Sequence, residues 1–239
     1  MRSSGMTDIG SKRTNNQDSI FFSDAPVGAL PNLYIVADGM GGHRAGDKAS
    51  RMAIDITVDY VKKSNLENPI AILKRAMLVA NNEIFKAADH DPDLTGMGTT
   101  MVAAVAKNGK LYVANVGDSR LYSINNDIKQ ITMDHSLVEE LIRNGELERK
   151  KGRNHPEKNI ITKAMGSREE VIPDFFEIDI NTEDKFLLCS DGLSNMVEDD
   201  EIRDIIVEQD DLDKAALALI DRANYYGGSD NISVVLISE

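Results

Sequence analysis

Four aspartates lie where short apolar segments of the chain begin or end. Asp38 ends LYIVAD, Asp118 ends LYVANVGD, Asp191 ends KFLLCSD, and Asp230 opens DNISVVLI. If these segments are strands whose ends meet, four carboxylates would share one cleft, where their mutual repulsion is costly unless cations neutralise it. Oxygen ligands suit Mg²⁺ or Mn²⁺, and no His or Cys spacing in the sequence is typical of zinc. The spacing therefore indicates a divalent-cation site and leaves its substrate open.

Glycines follow Asp38 almost at once. Gly39, Gly41 and Gly42 stand between the apolar run from Leu33 and a long helical pattern. Glycine permits backbone angles and close approaches that a Cβ would block, so this turn could offer a hard cation both a carboxylate and a carbonyl oxygen. Taken alone, the same residues fit a tight strand-to-helix turn with a capping aspartate equally well. The metal interpretation therefore depends on the whole set of aspartates.

Hydrophobic periodicity predicts the elements that would position these residues. Helical spacing runs over Ala45–Lys63, and a second helix is expected from Pro69, with Asn68 as its cap. Short β-rich runs between Gly98 and Thr132 are separated by tight turns such as Asn108-Gly109, which predicts an antiparallel meander.

The second half of the chain alternates in the same way. A helix is expected over Ser136–Asn144, where Ser136 and Glu139 have the spacing of a capping box. Further strands and helices follow, up to a closing buried strand at Ile232–Ile237. The order of elements indicates an α+β fold in which antiparallel sheets are covered by helices.

Composition limits the possible classes of protein. With 239 residues, of which 41% are hydrophobic, the chain is long enough for one domain, residues 1–239, with a large core. No apolar run approaches the roughly 18 residues of a membrane span, and the first residues do not resemble a signal peptide. One cysteine excludes an internal disulfide, which predicts a cytoplasmic setting. A formal net charge of −13 disfavours nucleic acid as a partner.

One basic segment interrupts this acidic chain. Between Arg143 and Arg168 there are eight Lys or Arg residues against three Glu. Weak periodicity over Gly145–Met165 predicts a flap, at about residues 137–165, that lies over the surface. A solvated, mobile face would explain these charges, and so would a local docking site for a partner.

Eight short motifs span nearly the whole chain. They are TDIG from Thr7, RTNNQD from Arg13, VADGMGG from Val36, GTT from Gly98, VGDSR from Val116, DHS from Asp134, SDG from Ser190 and DN from Asp230. In these motifs and their order the chain resembles the PPM family of metal-dependent serine/threonine phosphatases, also called type 2C. The DGMGG form and the short chain are similar to those of the bacterial stand-alone members.

The resemblance implies a four-layer αββα sandwich, in which two central antiparallel β-sheets are flanked by helices. It also implies a centre that binds two Mg²⁺ or Mn²⁺ ions. In the family, the aspartate at the position of Asp38 bridges both ions, and those at Asp191 and Asp230 complete the protein ligands of the first. The carbonyl group at the position of Gly39 binds the second ion.

Three further positions take their expected roles from the same resemblance. The position of Asp18 holds metal-bound water. Bacterial relatives often carry a third ion, for which Asp118 and Asp191 would form the site. Arg13 matches the arginine that binds the substrate phosphate, and its guanidinium can offer two parallel hydrogen bonds that a lysine could not.

The activity that the resemblance implies is hydrolysis of phosphoserine and phosphothreonine in proteins. A water that bridges the two ions would attack phosphorus directly, and no phospho-enzyme would form. The expected setting is a bacterial cytoplasm, where a monomeric phosphatase opposes a eukaryotic-type Ser/Thr kinase, with no nucleic acid or membrane as partner. Two alternatives stay open: an inactive scaffold on the same fold, and a phosphatase that acts on small molecules or nucleotides.

The sequence departs from the family pattern at two positions near the expected centre. Gln17 stands where many members have Glu, so the amide can orient water but adds no charge. Met40 stands where eukaryotic relatives carry a proposed general-acid histidine, and methionine cannot donate a proton. The proton donor is therefore expected to be a metal-bound water or His43.

Overall fold

Two antiparallel β-sheets pack face to face in this computed structural model, which describes residues 1–42 and 45–239. The strands are β1 (Arg2–Asp8), β2 (Asp18–Ser23), β3 (Leu33–Met40), β4 (Gly98–Thr99), β5 (Met101–Lys107), β6 (Lys110–Val116), β7 (Arg120–Ile124), β8 (Ile128–Gln130), β9 (Asp174–Asp179), β10 (Lys185–Cys189) and β11 (Ile232–Ser238). One sheet has the strand order β1-β11-β10-β7-β8. The other has the order β2-β3-β5-β6-β9, with the short β4 paired to β3.

Helices cover the outer faces of both sheets. They are α1 (Ala45–Lys63), α2 (Pro69–His90), α3 (Leu137–Arg143), α4 (Arg149–Gly152), α5 (Asp191–Ser194), α6 (Asp199–Glu208) and α7 (Leu212–Tyr225), with a single 3₁₀ turn at Pro92–Leu94. One apolar cluster joins α1 and α2 to β3, β5 and β6, and a second joins α5, α6 and α7 to β7, β10 and β11. A third cluster fills the space between the sheets. The predicted four-layer αββα sandwich is therefore confirmed.

The apolar runs in the sequence are continuous where a strand is covered on both sides. All seven residues of β11 and the first five residues of β3, Leu33–Ala37, are buried. A strand buried on both faces has no solvent face to alternate with, which is why these segments carry no polar residue at every second position. Asp38 is the first residue of β3 that reaches partial exposure, so the carboxylate lies where the buried part of the strand ends.

Strand β1 has no counterpart in the sequence-based prediction. Its sequence, RSSGMTD, lacks an apolar alternation, and only its third residue, Ser4, is fully buried. It nevertheless pairs with β11 over its whole length, from Arg2 opposite Ser238 to Asp8 opposite Ile232. An edge strand needs one hydrogen-bonding neighbour rather than an apolar sequence, so hydrophobic periodicity could not reveal it.

The predicted single meander between Gly98 and Thr132 is wrong in one respect. After β6 the chain leaves one sheet and continues as β7 in the other, where β7 pairs with β10 and β8. The crossing occurs at Gly117, whose φ of +103° is in the region that favours glycine. A Cβ there would lie 2.5 Å from side-chain atoms of Thr100. Asp118 follows at once, which places its carboxylate between the ends of the two sheets.

The flap contains more structure than the sequence predicted. Ser136 caps α3 by accepting a hydrogen bond from the Glu139 amide at 3.2 Å, as one half of the predicted capping box. The other half does not form, because the Glu139 carboxylate binds the Arg149 guanidinium through two hydrogen bonds of 3.1 and 2.8 Å. This pair joins α3 to the short helix α4, which lies inside the segment expected to be a loop. Within the described parts of the chain, no helix is long and apolar enough to cross a membrane.

Asn81 in α2 fixes the chain just beyond the flap, and its replacement should destabilise the fold. The buried amide accepts a hydrogen bond from the Gly166 N–H at 2.8 Å and donates to the carbonyl groups of Arg168 and Glu169 at 3.1 and 3.0 Å. Asn81→Ala leaves these groups without a partner, so we expect urea denaturation to show a loss of about 1–3 kcal/mol of unfolding free energy.

The matched control is Asn144→Ala, since the Asn144 side chain is exposed and makes one long contact of 3.4 Å. This control should change the unfolding free energy by less than about 0.5 kcal/mol. Equal effects of the two substitutions would contradict the role given to Asn81.

Candidate metal centre

The structure brings the predicted aspartates together from both sheets. Asp18 and Asp38 are direct partners across the β2–β3 pair. Asp191 starts α5 directly after β10, and Asp230 lies just before β11, the neighbour of β10 in the other sheet. After burial, the charges of Asp18, Asp191, Asp118 and Asp230 also raise the pKa of Asp38. All five carboxylates named from the sequence therefore belong to one cluster.

Burial and mutual repulsion raise the pKa values of most carboxyl groups in this cluster. The pKa of Asp38 is raised well above its usual range, first by burial and then by the four neighbouring carboxylates. Burial is also the largest cause of the raised pKa values of Asp18, Asp118 and Asp191. A neighbouring positive charge would lower all of these pKa values.

Unpartnered oxygen atoms show that the donor set fits a divalent cation. The Oδ1 atoms of Asp18, Asp118 and Asp191 are buried and have no hydrogen-bond partner within the described structure. A buried acceptor without a partner costs free energy, and carboxylate oxygens are the ligands that Mg²⁺ and Mn²⁺ prefer. Bound cations would satisfy these atoms and neutralise their charge.

The second carboxylate oxygens of Asp18 and Asp191 are held by neighbours. Asp18 Oδ2 accepts a hydrogen bond from Ser190 at 2.7 Å, and Asp191 Oδ2 accepts one from Asn195 at 2.9 Å. Across residues 1–42 and 45–239, no three His, Cys, Asp or Glu side chains stand in an arrangement that would hold an ion as they are placed.

Backbone hydrogen bonds fix the position of Asp38. Its N–H donates to Thr100 Oγ1 at 3.0 Å, and its carbonyl group accepts from the Thr100 N–H at 2.8 Å and from Thr99 Oγ1 at 2.9 Å. Gly39 follows in a space that admits no side chain, because a Cβ would lie 2.0 Å from the Gly46 carbonyl oxygen and 2.5 Å from that of Gln17. Strand β3 therefore meets helix α1 at backbone-to-backbone distance.

Arg13 lies at the rim of the cluster. Its Nη2 donates to Asp230 Oδ2 at 2.8 Å, and half of its side chain is exposed. The sequence assigned Arg13 to phosphate and Asp230 to metal, and the structure places the two side chains in contact. His43, the alternative proton donor, lies outside the described residues.

Asn231 is a positioning residue that the sequence did not single out beyond its place in the DN motif. Its Oδ1 accepts a hydrogen bond from the Gln17 N–H at 2.8 Å. Its Nδ2 donates to the carbonyl groups of Ile9 and Asn15 at 2.9 and 3.0 Å. One buried side chain thus joins the end of β11 to the loop that carries Arg13, a contact between residues more than 200 positions apart.

A cleft of about 610 Å³ opens from the cluster between the flap and α6. Asp118 and Asp191 are among its lining residues. The flap contributes Arg149, Lys150, Arg153 and Lys158 to one wall, and the start of α6 contributes Glu198, Asp199 and Asp200 to the other. Arg153 Nε and Glu198 Oε1 are 2.9 Å apart and join the two walls.

Comparisons with known proteins agree with this architecture. The sequence model of the family described as protein phosphatase 2C matches residues 9–212. The serine/threonine phosphatase Stp of Listeria welshimeri is 43% identical over 97% of this chain and 93% of its own length.

Two solved structures have the same fold. The serine/threonine phosphatase Stp1 of Staphylococcus aureus superposes with a TM-score of 0.92 at 34% identity, covering 99% of this chain and 94% of that one. The catalytic domain of the serine/threonine protein phosphatase PstP, in complex with two manganese ions, superposes with a TM-score of 0.86 at 32% identity, covering 98% and 96%. The chain therefore belongs to the protein phosphatase 2C family, which confirms the predicted family, fold and class of enzyme.

The crowding of carboxylates predicts that Asp38→Asn stabilises the protein in EDTA. The substitution removes one buried charge that its neighbours repel and keeps the backbone hydrogen bonds to Thr99 and Thr100. We expect the melting temperature in EDTA at pH 7.5 to rise by about 2–4 °C, which corresponds to roughly 1 kcal/mol for a chain of this length. In 1 mM Mn²⁺ the wild type should gain stability by ion binding, and the variant should gain much less.

Asp55→Asn on the exposed face of α1 is the matched control and should leave both melting temperatures unchanged. A variant at position 38 that melts below the wild type in EDTA and responds to Mn²⁺ as the wild type does would contradict the proposed charge crowding.

Proposed function

We propose that this protein phosphatase hydrolyses phosphoserine and phosphothreonine in proteins with Mn²⁺ or Mg²⁺ held by the aspartate cluster. The observation that carries the proposal is the set of buried, unpartnered carboxylate oxygens on Asp18, Asp118 and Asp191 beside Asp38. Two bound ions would supply a water of lowered pKa as nucleophile and would neutralise charge on the phosphoryl group. The names of the relatives, which are serine/threonine phosphatases, support this substrate class.

The chain's own residues would hold the ions and keep their shells in place. Asp38, Asp191 and Asp230 would bind directly, with the carbonyl group of Gly39. Asp18 would act through water, while Ser190 holds its other carboxylate oxygen.

A third ion, if bound, would lie between Asp118 and Asp191. The unpartnered Oδ1 atoms of these two residues support that position.

Arg13 would orient the substrate phosphate. Its contact with Asp230 holds the guanidinium beside the cluster, and the exposed half of the side chain leaves donors for a ligand. A guanidinium can give two parallel hydrogen bonds to a phosphate group and remains charged at any pH at which the protein is folded. Arg13 would therefore bind the phosphate by hydrogen bonds, and the ions would attract it electrostatically.

The setting that we propose is a bacterial cytoplasm, where this chain, as a monomer with one domain over residues 1–239, opposes a Ser/Thr kinase and its substrates. One buried cysteine supports a reducing compartment. A net charge of −13 disfavours nucleic acid as a partner. Metal-bound water is the proton donor that we favour, because Met40 carries no proton to donate.

One set of assays tests the reaction itself. We expect a phosphothreonine peptide to be hydrolysed in Mn²⁺, to be stable in EDTA, and to be hydrolysed at least 100-fold more slowly by Asp38→Ala. A protein that turns over no phosphopeptide in Mn²⁺ would support the scaffold alternative instead. A strong preference for nucleotides over the peptide would support a small-molecule phosphatase.

The cleft between the flap and α6 allows a test of whether the substrates are proteins. We propose that the segment at about residues 137–165 docks the polypeptide around the phosphorylated residue, with Lys150 facing it in the cleft. Lys150→Glu should raise the KM for a phosphopeptide about 5- to 10-fold through lost attraction and added repulsion. The KM for a small aryl phosphate should stay the same, because such a substrate does not reach the flap.

Lys151→Glu is the matched control, because Lys151 pairs with Glu148 rather than lining the cleft. Initial-rate kinetics on both substrates provide the comparison. An equal rise in KM for both substrates, or for both variants, would rule out docking by Lys150.

A further inference from the structure

His135 lies outside the aspartate cluster and contacts three separate parts of the chain. Its Nδ1 accepts a hydrogen bond from the Gly117 N–H at 2.9 Å. Its Nε2 lies 3.1 Å from Asp174 Oδ2 on β9, and the other oxygen of Asp174 accepts from Lys163 Nζ at 2.9 Å. The side chain is largely buried, with 13% exposed. In the sequence, His135 is the middle residue of the DHS motif.

These contacts determine the protonation state of the imidazole. A ring nitrogen that accepts a hydrogen bond carries no proton, so Nδ1 is bare and the proton must be on Nε2. The Nε2–H group then donates to Asp174. In an imidazolium Nδ1 would also carry a proton. Two donors would then face each other, and the contact with the Gly117 N–H would break. In agreement, burial lowers the pKa of His135.

His135 forms hydrogen bonds with both backbone polar groups of Gly117. The His135 N–H donates to the Gly117 carbonyl group at 3.0 Å, while the imidazole accepts from the Gly117 N–H. Gly117 has a φ of +103°, and its lack of a Cβ leaves it able to adopt other backbone angles. A rotation at Gly117 would move the next residue, Asp118, whose buried Oδ1 has no partner in the described structure.

The same residue is anchored to the end of the flap. The Thr162 N–H donates to the His135 carbonyl group at 2.8 Å, and Lys163 contacts Asp174. On one side of His135, Asp134 binds the Arg120 guanidinium, and on the other Ser136 begins α3. The DHS motif therefore lies where the chain crossing at Asp118, the start of the flap and the end of the flap meet.

We propose that His135 is a positioning residue that fixes Asp118 for the ion shared with Asp191 and couples this position to the end of the flap. The proposal rests on the proposed function, since it requires an ion at Asp118. His135 touches neither ion nor substrate, so its loss should change metal binding at one site and leave the others intact.

Two near-isosteric substitutions separate the two hydrogen bonds of the ring. In His135→Asn the side-chain Oδ1 takes the place of Nδ1 and can still accept from Gly117. In His135→Gln the longer amide reaches the place of Nε2 and can still bind Asp174, but nothing accepts from Gly117. Titration with Mn²⁺, followed by calorimetry and by electron paramagnetic resonance of free Mn²⁺, measures the affinity of each site.

We expect the Mn²⁺ site at Asp118 and Asp191 to be the weakest. It should lose at least 10-fold in affinity in His135→Gln and less than 3-fold in His135→Asn. The tighter sites should be unchanged in both variants. Equal losses in the two variants, or no loss in His135→Gln, would overturn the proposal. The difference between the melting temperatures with and without Mn²⁺ provides a second readout that does not depend on activity.

A double-mutant cycle tests whether His135 acts through Asp118. Asp118→Asn alone should abolish the weakest Mn²⁺ site, and His135→Gln should then have no further effect on metal binding. A further loss in the Asp118→Asn background would overturn the proposal. If Asp118→Asn leaves every Mn²⁺ site intact, the inference about His135 fails, while turnover in Mn²⁺ and its loss in Asp38→Ala would still support the proposed function.

A measurement on the unmodified protein covers the case in which the glutamine variant does not fold. Long-range ¹H–¹⁵N correlation spectra of the Mg²⁺-loaded wild type report which ring nitrogen carries the proton. We expect the Nε2–H form at pH 7, with Nδ1 bare. A proton on Nδ1 would remove the hydrogen bond from Gly117 and overturn the proposal.

Discussion

The structure depends on one constraint, which is that several carboxylates are kept close together where the two sheets end. Burial alone disfavours each charge, and every neighbouring aspartate adds repulsion, so the pKa of Asp38 is raised by five separate causes. A fold optimised for stability would replace such residues or pair them with basic side chains. Here the local cost is retained, and under the proposed function the cluster would become favourable when divalent cations bind to it.

The side chains that hold this cluster are mostly uncharged. Ser190, Thr100 and Asn195 orient the aspartates by hydrogen bonds, and hydrogen bonds of this kind set geometry while leaving most of the negative charge in place. The partly exposed guanidinium of Arg120 is directed at Asp134, with which it makes three hydrogen bonds of 3.0, 3.1 and 2.7 Å. A scaffold of neutral partners thus keeps the charge of the cluster available for cations.

The sandwich explains how residues so distant in sequence come together. Each sheet ends at the same lip, and the chain passes from one sheet to the other at Gly117, directly before Asp118. Asn231 and the double contact of His135 with Gly117 then fasten the loops around this lip to each other. The start and the end of the flap meet near Gly117, and Asp118 and Asp191 are among the residues that line the cleft between flap and α6.

Much of this arrangement follows from the sequence alone, because local signals are strong there. The helix over Ala45–Lys63, the cap at Asn68 and the buried strands appear as predicted, since periodicity and capping act within a few residues. The family motifs name all five aspartates, because metal chemistry constrains residue type at each position. Strand β1, the change of sheet after β6 and the pairing of Glu139 with Arg149 were not predicted. Each of these depends on a partner that the local sequence does not contain.

The sequence by itself predicted which residues carry the chemistry and determined which segments are buried, since residue type decides both the ligand atoms available and the free energy of leaving water. Only the tertiary structure decided how those residues are held: Arg13 against Asp230, Asn231 across the β1–β2 loop, and His135 between Gly117 and Asp174. These contacts join positions up to 222 residues apart. Hydrogen bonds at such separations form only after the sheets have packed, so they leave no periodic trace in the chain.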